Sequence, residues 1–157
     1  INKCMRLSTN FTLAEFTKSQ TATRKGLDNT PGEEHLANAK ELFANVVQKV
    51  RENFGVTGIN SGYRGPALNE AVGGSSKSQH CKGEAVDIEC PGTGNYDVAK
   101  WIEENCDFDQ LILEFYTPGI PDSGWVHVSY KSEGNRKSVL TAMKENGKTV
   151  YKQGLIK

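Results

Sequence analysis

The sequence is short of three things: net charge, long apolar runs and histidine. Its 19 basic residues balance its 19 acidic residues, which removes the usual electrostatic argument for binding nucleic acid or an anionic membrane surface. No apolar run approaches the roughly 20 residues that a membrane-spanning helix needs, so we expect no membrane insertion. The chain has three histidines, and two of them lie in its most informative motifs.

The chain also lacks the cysteine spacing of a zinc or redox motif. Its four cysteines, Cys4, Cys81, Cys90 and Cys106, allow three ways of forming two disulfides, but none of them form a C-x-x-C pair. We interpret them as mostly buried or free thiols, because nothing in the sequence establishes an oxidising compartment, and a disulfide is the alternative. Cys81 is the one rival metal ligand, because it follows His80. It is disfavoured because neighbouring residues of an extended segment point to opposite faces.

Length and composition predict one globular domain. With 157 residues, of which 36% are hydrophobic, the chain can bury a core without disulfides. We find no internal repeat and no low-complexity stretch. The sequence begins at Ile1 rather than Met and carries no signal-peptide pattern, which indicates that a leader, a tag or a starting segment has been removed.

Hydrophobic periodicity predicts an α+β fold, with helices first and strands mostly later. A capping box of Thr12 and Glu15 predicts that a short helix opens within residues 11–16. We expect an antiparallel central sheet with helices packed on one side, in which the strands at 110–116 and 125–130 form a hairpin. After Gly134, a short helix and then an extended segment are predicted. The predicted helices lie at residues 30–53, 66–72, 97–105 and 138–146, and the predicted strands at 56–61, 84–90, 110–116, 125–130 and 149–151.

Two imidazoles and one carboxylate fall together on the predicted sheet. Alternation along the strand at 125–130 places His127 on the face that points away from the core. The same rule places Asp87 on the polar face of the strand at 84–90. His80 reaches this point from the loop before that strand. Three N/O donors around an open fourth position are what a catalytic zinc needs. The alternative is that both histidines are ordinary hydrogen-bonded side chains.

A catalytic zinc site also needs a general base near its water. Glu114 is an isolated carboxylate in the apolar strand beside His127, and burying a carboxylate without a purpose is costly. We therefore predict that it is the base, with a structural ion pair as the alternative and Glu89 as the second candidate. Arg64, on a Gly-Tyr-Arg-Gly-Pro turn, can offer a forked donor to a carboxylate or an oxyanion. The alternative for Arg64 is a solvated turn arginine.

These motifs resemble those of a known family. Ser-x-His-x-x-Gly-x-Ala-x-Asp at residues 78–87, with Trp-x-His at 125–127, resembles the zinc D-Ala-D-Ala carboxypeptidases and L-Ala-D-Glu endopeptidases of bacteria and phage. Those enzymes share their fold with the hedgehog signalling domain. Ser-Gly-Tyr-Arg at 61–64 and the segment at 11–31 are also similar, so the resemblance covers about residues 10–130. It implies a single zinc peptidase domain over residues 1–157, with a C-terminal extension at 131–157.

The resemblance also implies roles for individual residues. Arg64 and Ser78 would hold the peptide or carboxylate of the substrate, and Trp125 would line the same site. One zinc ion per chain would be bound by His80, Asp87 and His127.

The catalytic glutamate departs from the pattern of many family members. Those members place it three residues before the last histidine of the motif, and here that position is Gly124. The hedgehog-like arrangement instead places a glutamate on the preceding strand, which Glu114 matches. The resemblance therefore favours Glu114 as the base. Arg64 is the other residue that we predict to be catalytic.

The leading hypothesis is a monomeric zinc peptidase that cleaves peptidoglycan stem peptides, as a carboxypeptidase or an endopeptidase. It would act on the cell wall, in the periplasm or at the extracellular face, or be a phage lysis protein made in the host cytoplasm. A non-catalytic zinc-binding module of the hedgehog type is the alternative. An iron oxygenase with two histidines and one carboxylate is disfavoured, because those enzymes commonly separate the first histidine and the carboxylate by two residues rather than seven.

Overall fold

The structure is a computed structural model that describes residues 5–74 and 78–156. The prediction for Cys4 therefore lies outside the described residues. A π-helical turn at Phe43–Val47 joins two helices into one long rod, and a 3-10 turn at Gln79–Lys82 precedes the fourth strand. The helices are α1 (Leu13–Thr17), α2 (Gln20–Lys25), α3 (Glu33–Leu42), α4 (Gln48–Phe54), α5 (Pro66–Ala71) and α6 (Asn95–Asn105). The strands are β1 (Arg6–Ser8), β2 (Phe11–Thr12), β3 (Gly58–Ser61), β4 (Ala85–Glu89), β5 (Gln110–Glu114), β6 (Trp125–Ser129), β7 (Ser138–Glu145) and β8 (Lys148–Gln153).

Six strands form the central sheet, in the order β3-β4-β6-β5-β7-β8. Neighbouring strands run antiparallel, apart from the parallel pair β5 and β7. This confirms the α+β class and the predicted hairpin of β5 and β6. The one parallel pair makes the sheet mixed rather than purely antiparallel.

One face of the sheet packs against the helices and forms the core. Each of β4, β5 and β6 turns alternate apolar residues to this face, because successive side chains of a strand point to opposite sides. The opposite face of the same strands is therefore free to carry polar groups. The buried apolar residues of the sheet are Val86, Ile88, Leu111, Leu113, Val126 and Val128, and they pack with Leu42, Phe43, Val46 and Val50 of the long rod and with Val98 and Ile102 of α6.

The N-terminal helices follow the sequence signals closely. The predicted capping box is present: the Glu15 N–H donates to the Thr12 hydroxyl oxygen over 3.3 Å, and the Thr12 N–H donates to the Glu15 carboxylate over 3.0 Å. The predicted long helix is α3, the π-helical turn and α4 together, which begins at Glu33 and ends at Phe54. The short helix α2, capped by Ser19, was not predicted.

The tail of the chain is a β-hairpin, so the helix predicted at residues 138–146 is wrong. β7 pairs with β5 on one side and with β8 on the other. Asn146 and Gly147 have φ angles of 53° and 77°, as a two-residue hairpin turn requires, and Asn-Gly is the sequence that favours this turn. Pairing on both edges outweighs the helix-forming tendency of the Ala-Met-Lys-Glu segment. The extended segment predicted at residues 149–151 is confirmed within β8.

The three described cysteines agree with the sequence prediction of buried or free thiols. Cys90 and Cys106 are buried free thiols, and Cys81 is a half-buried free thiol. Across residues 5–74 and 78–156, none of the helices combines the length and apolar character needed to cross a bilayer.

Gly62 is the point at which α1 meets the sheet. A Cβ atom at Gly62 would overlap the carbonyl oxygen of Phe16 and touch the Phe16 ring. The next residue, Tyr63, donates its N–H to that same carbonyl oxygen over 2.8 Å. The absence of a side chain therefore allows the last turn of α1 to lie directly against the chain that leaves β3.

We predict that Gly62→Ala destabilises the protein by roughly 2–3 kcal/mol, because backbone would have to move to admit one methyl group. Gly58→Ala is the matched control: a Cβ there would lie 3.7 Å from the Glu89 carbonyl oxygen, an ordinary contact that should leave stability within about 0.5 kcal/mol of wild type. Urea unfolding of both variants measures the difference. Equal unfolding midpoints would contradict the packing assigned to Gly62.

Candidate metal centre

Strand register brings the three predicted metal ligands together. Asp87 and His127 are direct partners across β4 and β6, and His127 Nδ1 lies 2.9 Å from Asp87 Oδ1. His80 Nε2 lies 3.5 Å from the same carboxylate oxygen. One ligand atom from each residue lies within 4.8 Å of the other two. This is a group that can hold a metal ion.

Backbone interactions fix the orientation of His80. The Ser78 hydroxyl oxygen caps the 3-10 turn by accepting the His80 N–H over 3.2 Å. His80 Nδ1 lies 2.7 Å from the carbonyl oxygen of Gly62, and a carbonyl can only accept, so Nδ1 carries the proton. The other nitrogen, Nε2, is then free of a proton in the neutral ring and faces Asp87. A metal-binding histidine typically donates a hydrogen bond to a carbonyl or carboxylate from the ring nitrogen that does not bind the metal.

Electrostatics favour an anionic oxygen between the two imidazoles. Burial alone would raise the pKa of Asp87, but the hydrogen bond with His127 and the interactions with both imidazoles outweigh it and hold the pKa well below its usual range. Asp87 is therefore a carboxylate at neutral pH. Two imidazole nitrogens and one carboxylate oxygen are a donor set that fits zinc.

Cys81 lies outside this group of ligands. Burial raises the pKa of its thiol, and the charge of Arg64 offsets the rise only in part. A thiol must lose its proton to bind a metal, so the raised pKa works against Cys81 as a ligand. The sequence preference for His80 over its neighbour agrees with this geometry.

Glu114 lies in the same groove as the three ligands. It is the direct partner of Trp125 across β5 and β6, and its Oε2 atom accepts the Trp125 indole N–H over 2.5 Å. Burial raises the pKa of Glu114, although the charge of His127 and the hydrogen bond from Trp125 act in the opposite direction. A carboxylate with a raised pKa is a better proton acceptor than a solvated one.

The two alternative positions for a base, Glu89 and Gly124, have other structural roles. Glu89 accepts hydrogen bonds from Asn60 over 2.8 Å and from Asn95 over 3.2 Å, which ties its carboxylate to β3 and to the start of α6. Gly124 has a φ angle of 66°, and a Cβ there would overlap the carbonyl oxygen of Glu114. A glutamate three residues before His127 is thus incompatible with this backbone.

The metal group lies at the wall of an open groove of about 720 Å³, which Arg64, Ser78 and Trp125 also line. Arg64 and Asp87 also border a second groove, of about 690 Å³, together with residues of α2 and β3. Arg64 Nε is buried and, among the described residues, has no hydrogen-bond partner. An unpaired buried donor costs free energy, which a ligand that supplies an acceptor would recover. A hollow of about 710 Å³ beside α1 and α2 has none of these groups in its lining.

Sequence reasoning missed two parts of the site. It assigned Trp125 as a substrate contact and did not predict that the indole N–H donates to Glu114. It also missed the carbonyl of Gly62 behind His80. The first has a signal in the alternation of β6, which places Trp125 on the face of His127. The second has none, because any residue type supplies a backbone carbonyl.

Comparison with known proteins supports the same interpretation as the geometry. A search of curated proteins finds no match to the sequence. A family model described as peptidase M15 matches residues 9–129, which is more than three quarters of the chain and includes every residue of the metal group. Members of this family are metallopeptidases, so the family match and the His-Asp-His cluster both indicate a hydrolase. The chain belongs to the peptidase M15 family.

Proposed function

We propose that this protein is a zinc-dependent peptidase that hydrolyses peptide bonds in peptidoglycan stem peptides. The observation that carries the proposal is the convergence of His80, Asp87 and His127 beside a carboxylate of raised pKa, Glu114, in one groove. Membership of the peptidase M15 family supports the substrate class. Such an enzyme acts at the cell wall, whether in remodelling or in phage-driven lysis.

In this proposal His80, Asp87 and His127 hold one zinc ion. Zinc bound to them would polarise a substrate carbonyl and lower the pKa of a water molecule. The chain's own contribution is to fix the donors: Asp87 and His127 through strand register, and His80 through its bond to Gly62.

Glu114 is the proposed general base. It takes a proton from the attacking water and later gives it to the leaving amine nitrogen. The Trp125 N–H holds Oε2, which leaves Oε1 to receive the proton. Trp125 is thus a positioning residue for the base, and its ring also lines the groove beside the substrate.

Arg64 and Ser78 are the proposed substrate-binding groups. The unpaired Nε of Arg64 can donate to a carbonyl or carboxylate of the substrate, as part of a forked pair of bonds. The Ser78 oxygen caps the turn of His80, and its hydroxyl proton remains available to a substrate oxygen. Both side chains line the groove of the metal group.

We expect alanine at His80, Asp87 or His127 to lower zinc affinity by more than about 100-fold, since even partners behind the ligands contribute 10–100-fold in such sites. Peptidase activity should disappear with the metal. Zinc content by mass spectrometry and a zinc titration measure the loss. Glu89→Ala is the control, because Glu89 lies two residues from Asp87 on the same face of β4. If two of the three variants keep one zinc ion and full activity, these residues are not the zinc site.

Glu114→Gln should keep the zinc ion and lose turnover by roughly two to four orders of magnitude, because the amide cannot accept the proton. Release of soluble fragments from purified sacculi, identified by mass spectrometry, measures the activity. Glu84→Gln removes another carboxylate from the same groove and should leave turnover unchanged. Zinc-loaded wild type that releases no fragments would instead favour a non-catalytic zinc-binding module.

Arg64→Ala should raise KM and lower kcat/KM by roughly 10- to 100-fold, the effect of losing a charged hydrogen bond to substrate. Arg64→Lys keeps the charge but not the fork, so it should recover only part of the loss. Zinc affinity should not change in either variant. Arg24→Ala, an exposed arginine on α2, is the matched control. Wild-type kinetics for Arg64→Ala would exclude the role.

A further inference from the structure

The C-terminal hairpin of β7 and β8 is an integral part of the sheet, although it lies outside the family match at residues 9–129. A forked ion pair fixes the chain that enters the hairpin: Arg136 Nε and Nη2 donate to the carboxylate oxygens of buried Asp109 over 3.0 and 2.9 Å. At the other end, the Thr141 hydroxyl donates to the Gly154 carbonyl oxygen over 2.8 Å. The hairpin is therefore held in a defined place relative to β5.

Sheet register places Tyr151 on the face of the metal centre. Trp125 pairs with Glu114, Glu114 pairs with Ala142, and Ala142 pairs with Tyr151. Directly paired residues project from the same side of a sheet. These four residues thus form one row across β6, β5, β7 and β8, beside the row that holds Asp87 and His127.

Tyr151 is an exposed aromatic residue inside the proposed catalytic groove. Its side chain lines the same groove as His80, Glu114 and His127, and the residue is 57% exposed. Its neighbour in the row, Ala142, is fully buried and small, so no bulky side chain of the row stands between the ring and Glu114. Single exposed apolar residues are common on protein surfaces, but a ring that lines the groove of the metal group is placed to contact a ligand.

The distance across the sheet sets the length of that ligand. Neighbouring strands lie about 4.8 Å apart, so β8 lies roughly 14 Å from β6, the strand of His127. An extended peptide advances about 3.3 Å per residue, so roughly four residues separate the two points. A dipeptide, at about 7 Å, spans only about half of the separation between these strands.

We propose that Tyr151 forms a remote substrate-binding subsite, which makes the enzyme selective for a peptide that continues about four residues beyond the scissile bond. The inference rests on the proposed function, because it assumes peptide hydrolysis at the metal group. An aromatic ring can pack against an aliphatic side chain of the substrate and offer its hydroxyl to a backbone group. Binding energy from such a remote contact raises the rate at the reacting bond, so a truncated substrate should react more slowly. The protein is then an endopeptidase of extended chains rather than a carboxypeptidase of terminal dipeptides.

The test uses the full zinc-loaded chain and peptides built around the bond that the enzyme cuts in sacculi. One probe is the shortest peptide that is hydrolysed, and the others extend it by four residues on either side. Wild type should hydrolyse one extended peptide with a kcat/KM about tenfold or more above that of the short peptide, the scale of one buried aromatic contact. Tyr151→Ala should abolish this gain without changing the rate on the short peptide, and Tyr151→Phe should keep most of it.

Val150→Ala is the matched control, because Val150 is the neighbouring residue of β8 on the opposite face, paired with Met143. For Val150→Ala, the rise in kcat/KM from the short to the extended peptide should equal that of wild type. Zinc content and melting temperature should be the same in all variants. If Tyr151→Ala unfolds, Tyr151→Thr takes its place, since a β-branched residue suits an edge strand.

Two results separate this inference from the proposed function. If wild type cuts the short and extended peptides equally well, the peptidase stands and the subsite is refuted. If zinc-loaded wild type cuts neither the peptides nor sacculi, both are refuted. A Tyr151→Ala variant that keeps the full gain, or that loses activity equally on all peptides, would also exclude the subsite.

Discussion

The register between β4 and β6, which sets Asp87 opposite His127, is the constraint on which the site depends. A slip of either strand by one residue would turn its metal ligand into the core and expose the valines beside it. That slip is prevented by Val86, Val126 and Val128, which are fully buried against the helices. Burial of apolar surface on one face thus determines the chemistry of the other, and the donors are brought together by the same interaction that stabilises the sheet.

Glycines then allow the surrounding backbone to close on this pair. Gly62 admits the carbonyl of Phe16 at its Cα and offers its own carbonyl to His80. Gly83, with a φ angle of 74°, ends the turn of His80 where a side chain would overlap the carbonyl oxygen of His35. Gly124 packs against the carbonyl of Glu114 in the same manner. Since Gly124 leaves no room for a carboxylate, the candidate base comes from β5.

Much of the site could be predicted because strand alternation is local. The period of two along β4 and β6 is enough to place Asp87 and His127 on one polar face, and the capping box of α1 follows from residues three apart. The fate of residues 138–146 could not be predicted in the same way. Their helix-forming composition competes with pairing to β5, a partner far away along the chain. The Asn-Gly turn at residues 146–147 was the local signal for a hairpin, and weighting it above composition would have given the observed structure.

The two carboxylates of the groove show how burial assigns different chemistry to the same functional group. Both are removed from water, which on its own raises a carboxyl pKa. Asp87 lies against two imidazoles that outweigh burial and lower its pKa, so it remains an anion and suits a cation. Glu114 has only the indole N–H and more distant charges, so burial prevails and its pKa rises. Opposite shifts of neighbouring titratable groups are how one site separates a permanent charge from a proton carrier. In this fold the opposite pKa shifts follow from the strand that carries each carboxylate, because Asp87 on β4 lies between the two histidines and Glu114 on β5 does not.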